Sequence, residues 1–186
     1  MKLKELYSII CIIFASNFKG VIDKEHFDKL AKNWVVVNQN PQNKIGHEFW
    51  AKFLENRDKN SDETLKKIGA DFELLKPSFD IDTFKLISET DITLFFEKFR
   101  YKRPFANLKA CHAANMLAFL AAVLKHDNDE KTHNLLGLYL TKFYMPSFRA
   151  LANTLQTEAK SDYYKAFGWF LADFNKMIKD SLGLKI

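Results

Sequence analysis

Apolar residues recur along most of the chain at intervals of three and four, the spacing that lines up side chains on one face of an α-helix. Leu3, Leu6, Tyr7, Ile10 and Phe14 form the first such stripe. Phe27, Leu30, Ala31 and Trp34 share a face over 24–36, and Phe49, Trp50, Phe53 and Leu54 mark a third helix that ends near Arg57. Between these two, the sequence NQNPQN at 38–43 predicts a loop by its Asn and Pro content. The β-branched run VVVN at 35–38 has no second run of similar character to pair with as a strand. Asn60-Ser61-Asp62 offers an N-cap for a helix over 63–75, which Pro77 closes because the residue before a proline avoids the helical region.

The connection KPSFDID at 76–82 is short and irregular. Asp82 or Thr83 can cap a short segment to Ser88. Thr90 or Asp91 can cap a helix over 92–101, in which Leu94, Phe95 and Phe99 point one way, with Pro104 ending it. The segment 108–125 carries Ala, Met, Leu and Phe on nearly every side, and a helix that is apolar all round is a buried one. It is the expected centre of the fold. DNDEK at 127–131 starts the next helix, with Leu135, Leu136, Leu138, Tyr139 and Phe143, and Pro146 should kink or restart it before Phe148, Leu151, Ala152 and Leu155. Ser161 caps a last helix through Tyr164, Phe167, Trp169, Phe170, Leu171, Phe174 and Ile178, and Gly183 marks its stop. The expectation is all-α: one helical bundle of about eight to ten helices spanning 1–186, with no internal repeat.

Composition sharpens this picture. Eighteen Phe against six Gly and four Pro in 186 residues exclude a disordered, collagenous or low-complexity polymer. Two cysteines, Cys11 and Cys111, are too few for a secreted disulfide framework or a Cys-rich zinc site, so a reducing compartment is expected. The start, MKLKELYSIICIIFAS, mimics a secretory signal, but Glu5 and Tyr7 interrupt it and its residues make the helical stripe above; it reads as a first core helix. No run of 18 apolar residues occurs, so no membrane span is expected. The net charge is +5, yet only four of the 28 basic residues are Arg, and the lysines are spread along the chain. The one dense basic run, KFRYKRP at 98–104, reads as a solvated helix end whose cations complement the helix dipole.

Catalytic chemistry finds little purchase. There is no Gly-rich phosphate loop, no H-E-x-x-H and no G-x-S-x-G. His126, Asp127, Asp129, Glu130 and His133 suggest a metal site, but as a calcium loop from Asp127 the segment has Thr132 where Gly is required and Leu138 where a bidentate Glu is required. A capped connection explains it. Cys111 and His112 are adjacent, and neighbours on a helix point about 100° apart, which does not make a nucleophile–base pair. Glu89 and Asp91 are the only close carboxylate pair near a potential cleft, and capping accounts for Asp91.

The C-terminal half is more specific. CHAANMLAFLAAVL at 111–124, LLGLYLTKFYMPSF at 135–148 and SDYYKAFGWFLADF at 161–174 resemble the TorD/DmsD/NarJ family of molybdoenzyme maturation chaperones. That family shows an Asp-His pair opening an apolar helix, a leucine-rich helix with Pro-Trp near its middle, and a last helix beginning Phe-Tyr-x-x-Leu. His112 matches the His of the pair, Leu117 and Leu120 its downstream apolar positions, and Tyr163-Tyr164-Lys165-Ala166-Phe167 the last pattern. LYSIICIIF at 6–14 and DFELLKPS at 71–78 are similar to the family's opening helix and its Tyr-x-x-Leu-Phe segment. The chain departs from the pattern at Cys111, where the family has Asp, and at Leu108-Lys109, where it has Glu-Pro. Phe143-Tyr144 replaces the Pro-Trp pair, with Pro146 two residues later, and the Pro-rich loop shortens to Pro77-Ser78-Phe79.

The resemblance implies a TorD-like fold and a cytoplasmic chaperone, not an enzyme and without cofactor or metal. Its partner would be the catalytic subunit of a molybdopterin oxidoreductase, held by its twin-arginine (Tat) signal peptide until the cofactor is inserted. An apolar leader wants an aromatic groove, and the residues expected to line one are Phe72, Leu75, Phe105, Cys111, His112 and Tyr144. Twin arginines want carboxylates, and Asp71, Glu73 and Glu89 are the expected acidic edge. A monomer or a segment-swapped dimer is compatible with this reading. The alternative is a helical adaptor or regulatory domain that binds nucleic acid or another protein through residues 98–103.

Overall fold

The computed structural model describes residues 3–181, and among these every regular element is helical. The first helix, α1 (Leu3–Phe18), turns Tyr7, Ile10, Cys11, Phe14 and Phe18 into the core. A five-residue α2 (Lys24–Asp28) follows, capped by Asp23. It is far shorter than the stripe over 24–36 predicts. The chain instead buries Phe27, Trp34 and Val36 while Val35 and Val37 stay outside, and the Trp34 ring stacks on Phe170 at 4.4 Å and 6°. The β-branched run is held by side chains rather than by a strand: Asn43 accepts from Asn38 N and donates to Val36 O, and His47 Nε2 also meets Val36 O at 2.9 Å.

The expected loop at 38–43 is cut short, because Pro41 opens α3 (Pro41–Lys59) behind the Asn40 cap. Proline suits that first position, where its missing N–H costs nothing. Asn60 then caps α4 (Ser61–Phe79), which does not stop before Pro77 but carries it in its final turns. The reason is Phe79, fully buried and stacked on Phe72 and Phe18. A short 3-10 turn (Ile81–Phe84) leads to Ser88, which caps α5 (Glu89–Lys98) earlier than Thr90 or Asp91 would. At its end Arg100 takes a left-handed φ of 52° and Tyr101 N reaches back to Phe96 O, the six-to-one bond of a Schellman stop.

Residues 99–112 carry no α-helix, so the central helix α6 (Ala113–His126) starts later than the apolar run suggests. It is buried nearly all round, as expected of its sequence. A capping box of Asp129 and Thr132 opens α7 (Glu130–Tyr139). Pro146 cannot donate to the carbonyl one turn back, and the chain widens into a π-helical turn over Leu140–Tyr144 before α8 (Met145–Glu158) restarts. Ser161 then accepts from Tyr164 N at the start of α9 (Asp162–Ser181). Gly183, the expected stop, lies outside the described residues.

The bundle is organised by three pairings: α1 on α6, α3 on α9, and α8 on α9. The last is very close. A Cβ on Gly168 would stand 2.8 Å from Leu155 Cβ and 2.9 Å from Gln156 N, so only a glycine lets the two backbones approach. Four aromatic rings, Trp34, Trp50, Phe167 and Phe170, lock α3 and the 31–40 segment onto α9.

Candidate functional site

Three of the expected site residues, Glu89, Cys111 and His112, meet where the 79–82 segment crosses 109–112. Asp80 and His112 form an isolated antiparallel bridge, and Ile81 N donates to Cys111 O at 3.2 Å. The two oxygens of Glu89 accept from Ala110 N and Cys111 N, each at 2.8 Å. Burial pushes the Glu89 carboxyl up, but the Cys111 thiol, these two N–H groups and the nearby Arg103 charge outweigh it and leave its pKa below the ordinary value. Burial drives the Cys111 thiol well upward, and Glu89 adds to it, so the group stays a neutral thiol. His112 caps α6 through Nδ1, which accepts from Ala114 N at 3.1 Å. Burial lowers its pKa, Asp80 opposes that and Lys109 assists it. Lys109 in turn bridges Asp80 at 3.4 Å and Asp82 at 3.2 Å. This is a well-tied structural joint, closed by the Asp80–His112 bridge, the two Glu89 hydrogen bonds and the Lys109 ion pairs.

The expected aromatic groove is not open at these residues. Phe72, Leu75, Cys111, His112 and Tyr144 are buried, and Phe105 alone is half-buried, with Lys19 Nζ over its ring at 5.8 Å. Phe72 stacks on Phe79, which stands 6.3 Å from the His112 ring, so these two belong to one aromatic layer. Tyr144 lies elsewhere, stacked on Phe148 at 4.3 Å. The physical reason is periodicity: the apolar positions that make a helix recognisable are those it turns into its own core. The acidic edge is likewise dispersed. Asp71 is 3% exposed and receives Lys160 N, Ser161 N and Ser161 Oγ. Glu89 is held as described, and Glu73 stands on the surface 3.6 Å from Lys76.

An open concavity lies one helix face away. A cleft of about 670 Å³ separates the end of α3, α4 as far as Leu74 and the start of α9. Phe53, Ile68 and Tyr163 form its buried floor, while Ala70 is exposed and Leu74 is 54% exposed. Asp71 lines it as well. Around the rim, Glu63 pairs with Lys67 at 2.7 Å and Asp162 accepts from Asn56 at 3.2 Å, while Lys59 and Lys160 bring two ammonium groups with no partner among the described residues. The size is that of a ligand pocket, apolar within and charged at its mouth. Leu74 was legible only as an exception: the buried positions of α4 are Thr64, Ile68, Asp71, Phe72, Leu75 and Phe79, and Leu74 falls outside that stripe.

Among the described residues no group of three or more His, Cys, Asp or Glu could hold a metal ion, and no helix is long and apolar enough to cross a membrane. Comparison of the chain with protein-family models, curated proteins and solved structures returns no match.

Proposed function

We propose that this bundle is a non-catalytic chaperone that holds the leader of another polypeptide in the α3/α4/α9 cleft. The observation that carries the reading is the exposed Leu74 in an apolar cleft of about 670 Å³ with charges of both signs at its mouth. Large apolar side chains left in a concavity mark a site that something else covers. Covering Leu74 contributes on the order of 1.5 kcal/mol, before the ordering cost of the peptide. The resemblance of 111–174 to molybdoenzyme maturation chaperones supplies the client: the cytoplasmic precursor of a molybdopterin oxidoreductase, bound before export. Its apolar leader segment would cover Ala70 and Leu74, and its twin arginines would reach Glu63 and Asp162, whose present partners are a lysine and a neutral amide.

A photo-reactive residue at position 74, in the full chain, tests this against a twin-arginine leader peptide. A leader crosslinked from position 74 but not from the exposed Leu94 on α5 supports the reading. Equal crosslinking from both positions, or none, removes the cleft as its site.

The nucleic-acid alternative has less support. Arg103 donates to Leu108 O at 2.9 Å and lies half-buried, and Lys98 covers the Phe99 ring at 5.7 Å, so the basic run serves the stop of α5 first.

A further inference from the structure

The groove between α8 and α9 holds a second cleft, of about 450 Å³, and its chemistry is different. Among the described residues, Arg149, Lys176 and Lys179 line it together with the carboxylate of Asp180, which pairs with Lys176 at 2.5 Å. Gln42, in the first turn of the 19-residue α3, lines the cleft as well, so the positive end of that helix lies at its wall. An independent observation comes from Asn175. This residue is 5% exposed and lines the same cleft. Its Nδ2 donates to Phe148 O at 3.1 Å, which fixes the way the amide faces, and its Oδ1 has no hydrogen-bond partner among the described residues. A buried acceptor without a donor is rare in a finished fold.

We propose that this cleft binds a phosphate monoester that carries a hydroxyl group. The cations take the phosphate through charge-assisted hydrogen bonds, Lys179 foremost among them. Asn175 Oδ1 accepts from the ligand hydroxyl and so gains the donor that the described residues do not supply. A sulfate ion meets the charge but offers that oxygen no proton. An uncharged polyol meets the oxygen but not the charge. Only a ligand with both groups satisfies the site.

The test is a calorimetric titration of the full chain at low ionic strength with glycerol 3-phosphate, sulfate and glycerol. The proposal expects glycerol 3-phosphate to bind about tenfold or more tightly than sulfate, with glycerol undetected and with affinity falling as salt is added. Lys179→Glu should lower that affinity about tenfold. Asn175→Ala should bring glycerol 3-phosphate down to the level of sulfate. Should that variant fail to fold, Lys179→Glu, at a partly exposed position, still decides. Equal binding of sulfate and glycerol 3-phosphate, or affinity unchanged in Lys179→Glu, would reduce the cleft to an adventitious cationic surface and overturn the proposal, as would no binding at all.

Discussion

The carboxylate of Asp71, on α4, receives Ser161 N at 2.8 Å and the Ser161 hydroxyl at 2.5 Å, so one helix supplies the cap that another helix needs. Lys160 N joins them at 3.0 Å. The charge is buried, yet every donor at the mouth of α9 that it meets is a backbone or hydroxyl group. Replacing it leaves two backbone N–H groups, Lys160 N and Ser161 N, without their acceptor. Asp71→Ala should therefore cost about 2–4 kcal/mol of unfolding free energy, with Asp71→Asn costing less, as read by urea denaturation. A loss under about 0.5 kcal/mol would show the cap to be dispensable.

His112 gives a pH dependence whose sign follows from its burial. Its pKa is lowered from the ordinary 6.5, so the folded protein binds the proton less well than the unfolded chain. This contribution is complete above about pH 6.5 and is lost as pH falls below it, because the unfolded chain takes up the proton first. Stability should decline from about pH 7 to pH 5. His112→Asn retains an oxygen to cap Ala114 N, and should flatten that decline, whereas His112→Ala should lose the cap and about 1 kcal/mol with it. An identical slope in wild type and His112→Asn would place the titration elsewhere.

Two glycine substitutions should act in opposite directions. Gly168→Ala forces a methyl to 2.8 Å from Leu155 Cβ and 2.9 Å from the Gln156 backbone, with little freedom to yield, and should destabilise by about 1–3 kcal/mol or more. Gly137, in α7, has nothing within 4 Å of an added Cβ, and Gly137→Ala should stabilise by about 0.5–1 kcal/mol. Thermal melts of the two variants check both signs.

Both cysteines are fully buried, and burial raises the pKa of each thiol. Neither Cys11 nor Cys111 should react with a thiol reagent in the native protein, and labelling should keep pace with global unfolding as urea is added. Fast labelling of Cys111 in the native state would mean that the 109–112 joint opens on its own.

The helices were largely legible from residue spacing, and the reasons for the exceptions are tertiary. Tyr7, Ile10 and Phe14 on α1, and Phe167, Phe170, Leu171 and Phe174 on α9, point where their periodicity says they should. Over 24–36 the same spacing misleads, because Trp34 and Val36 are buried from a non-helical segment by rings on α9 and by the amide of Asn43. Pro77 does not end α4, because the burial of Phe79 beyond it outweighs the proline's local preference. The site was less legible. Phe72, Leu75 and Tyr144 look like a greasy groove on paper, but apolar spacing identifies the buried side of a helix, not an open one. The cleft instead depends on how far α3, α4 and α9 diverge, which no single segment encodes, and its one local trace is Leu74 standing out of phase.

The most direct measurement is calorimetric titration of the full chain with a synthetic twin-arginine leader peptide, in wild type and in Leu74→Glu. The account predicts saturable binding to the wild type. It predicts at least about a tenfold loss in the variant, from the removed apolar contact and the introduced charge, with the melting temperature unchanged because Leu74 is exposed. Equal affinity in both proteins, or no binding to either, would contradict it.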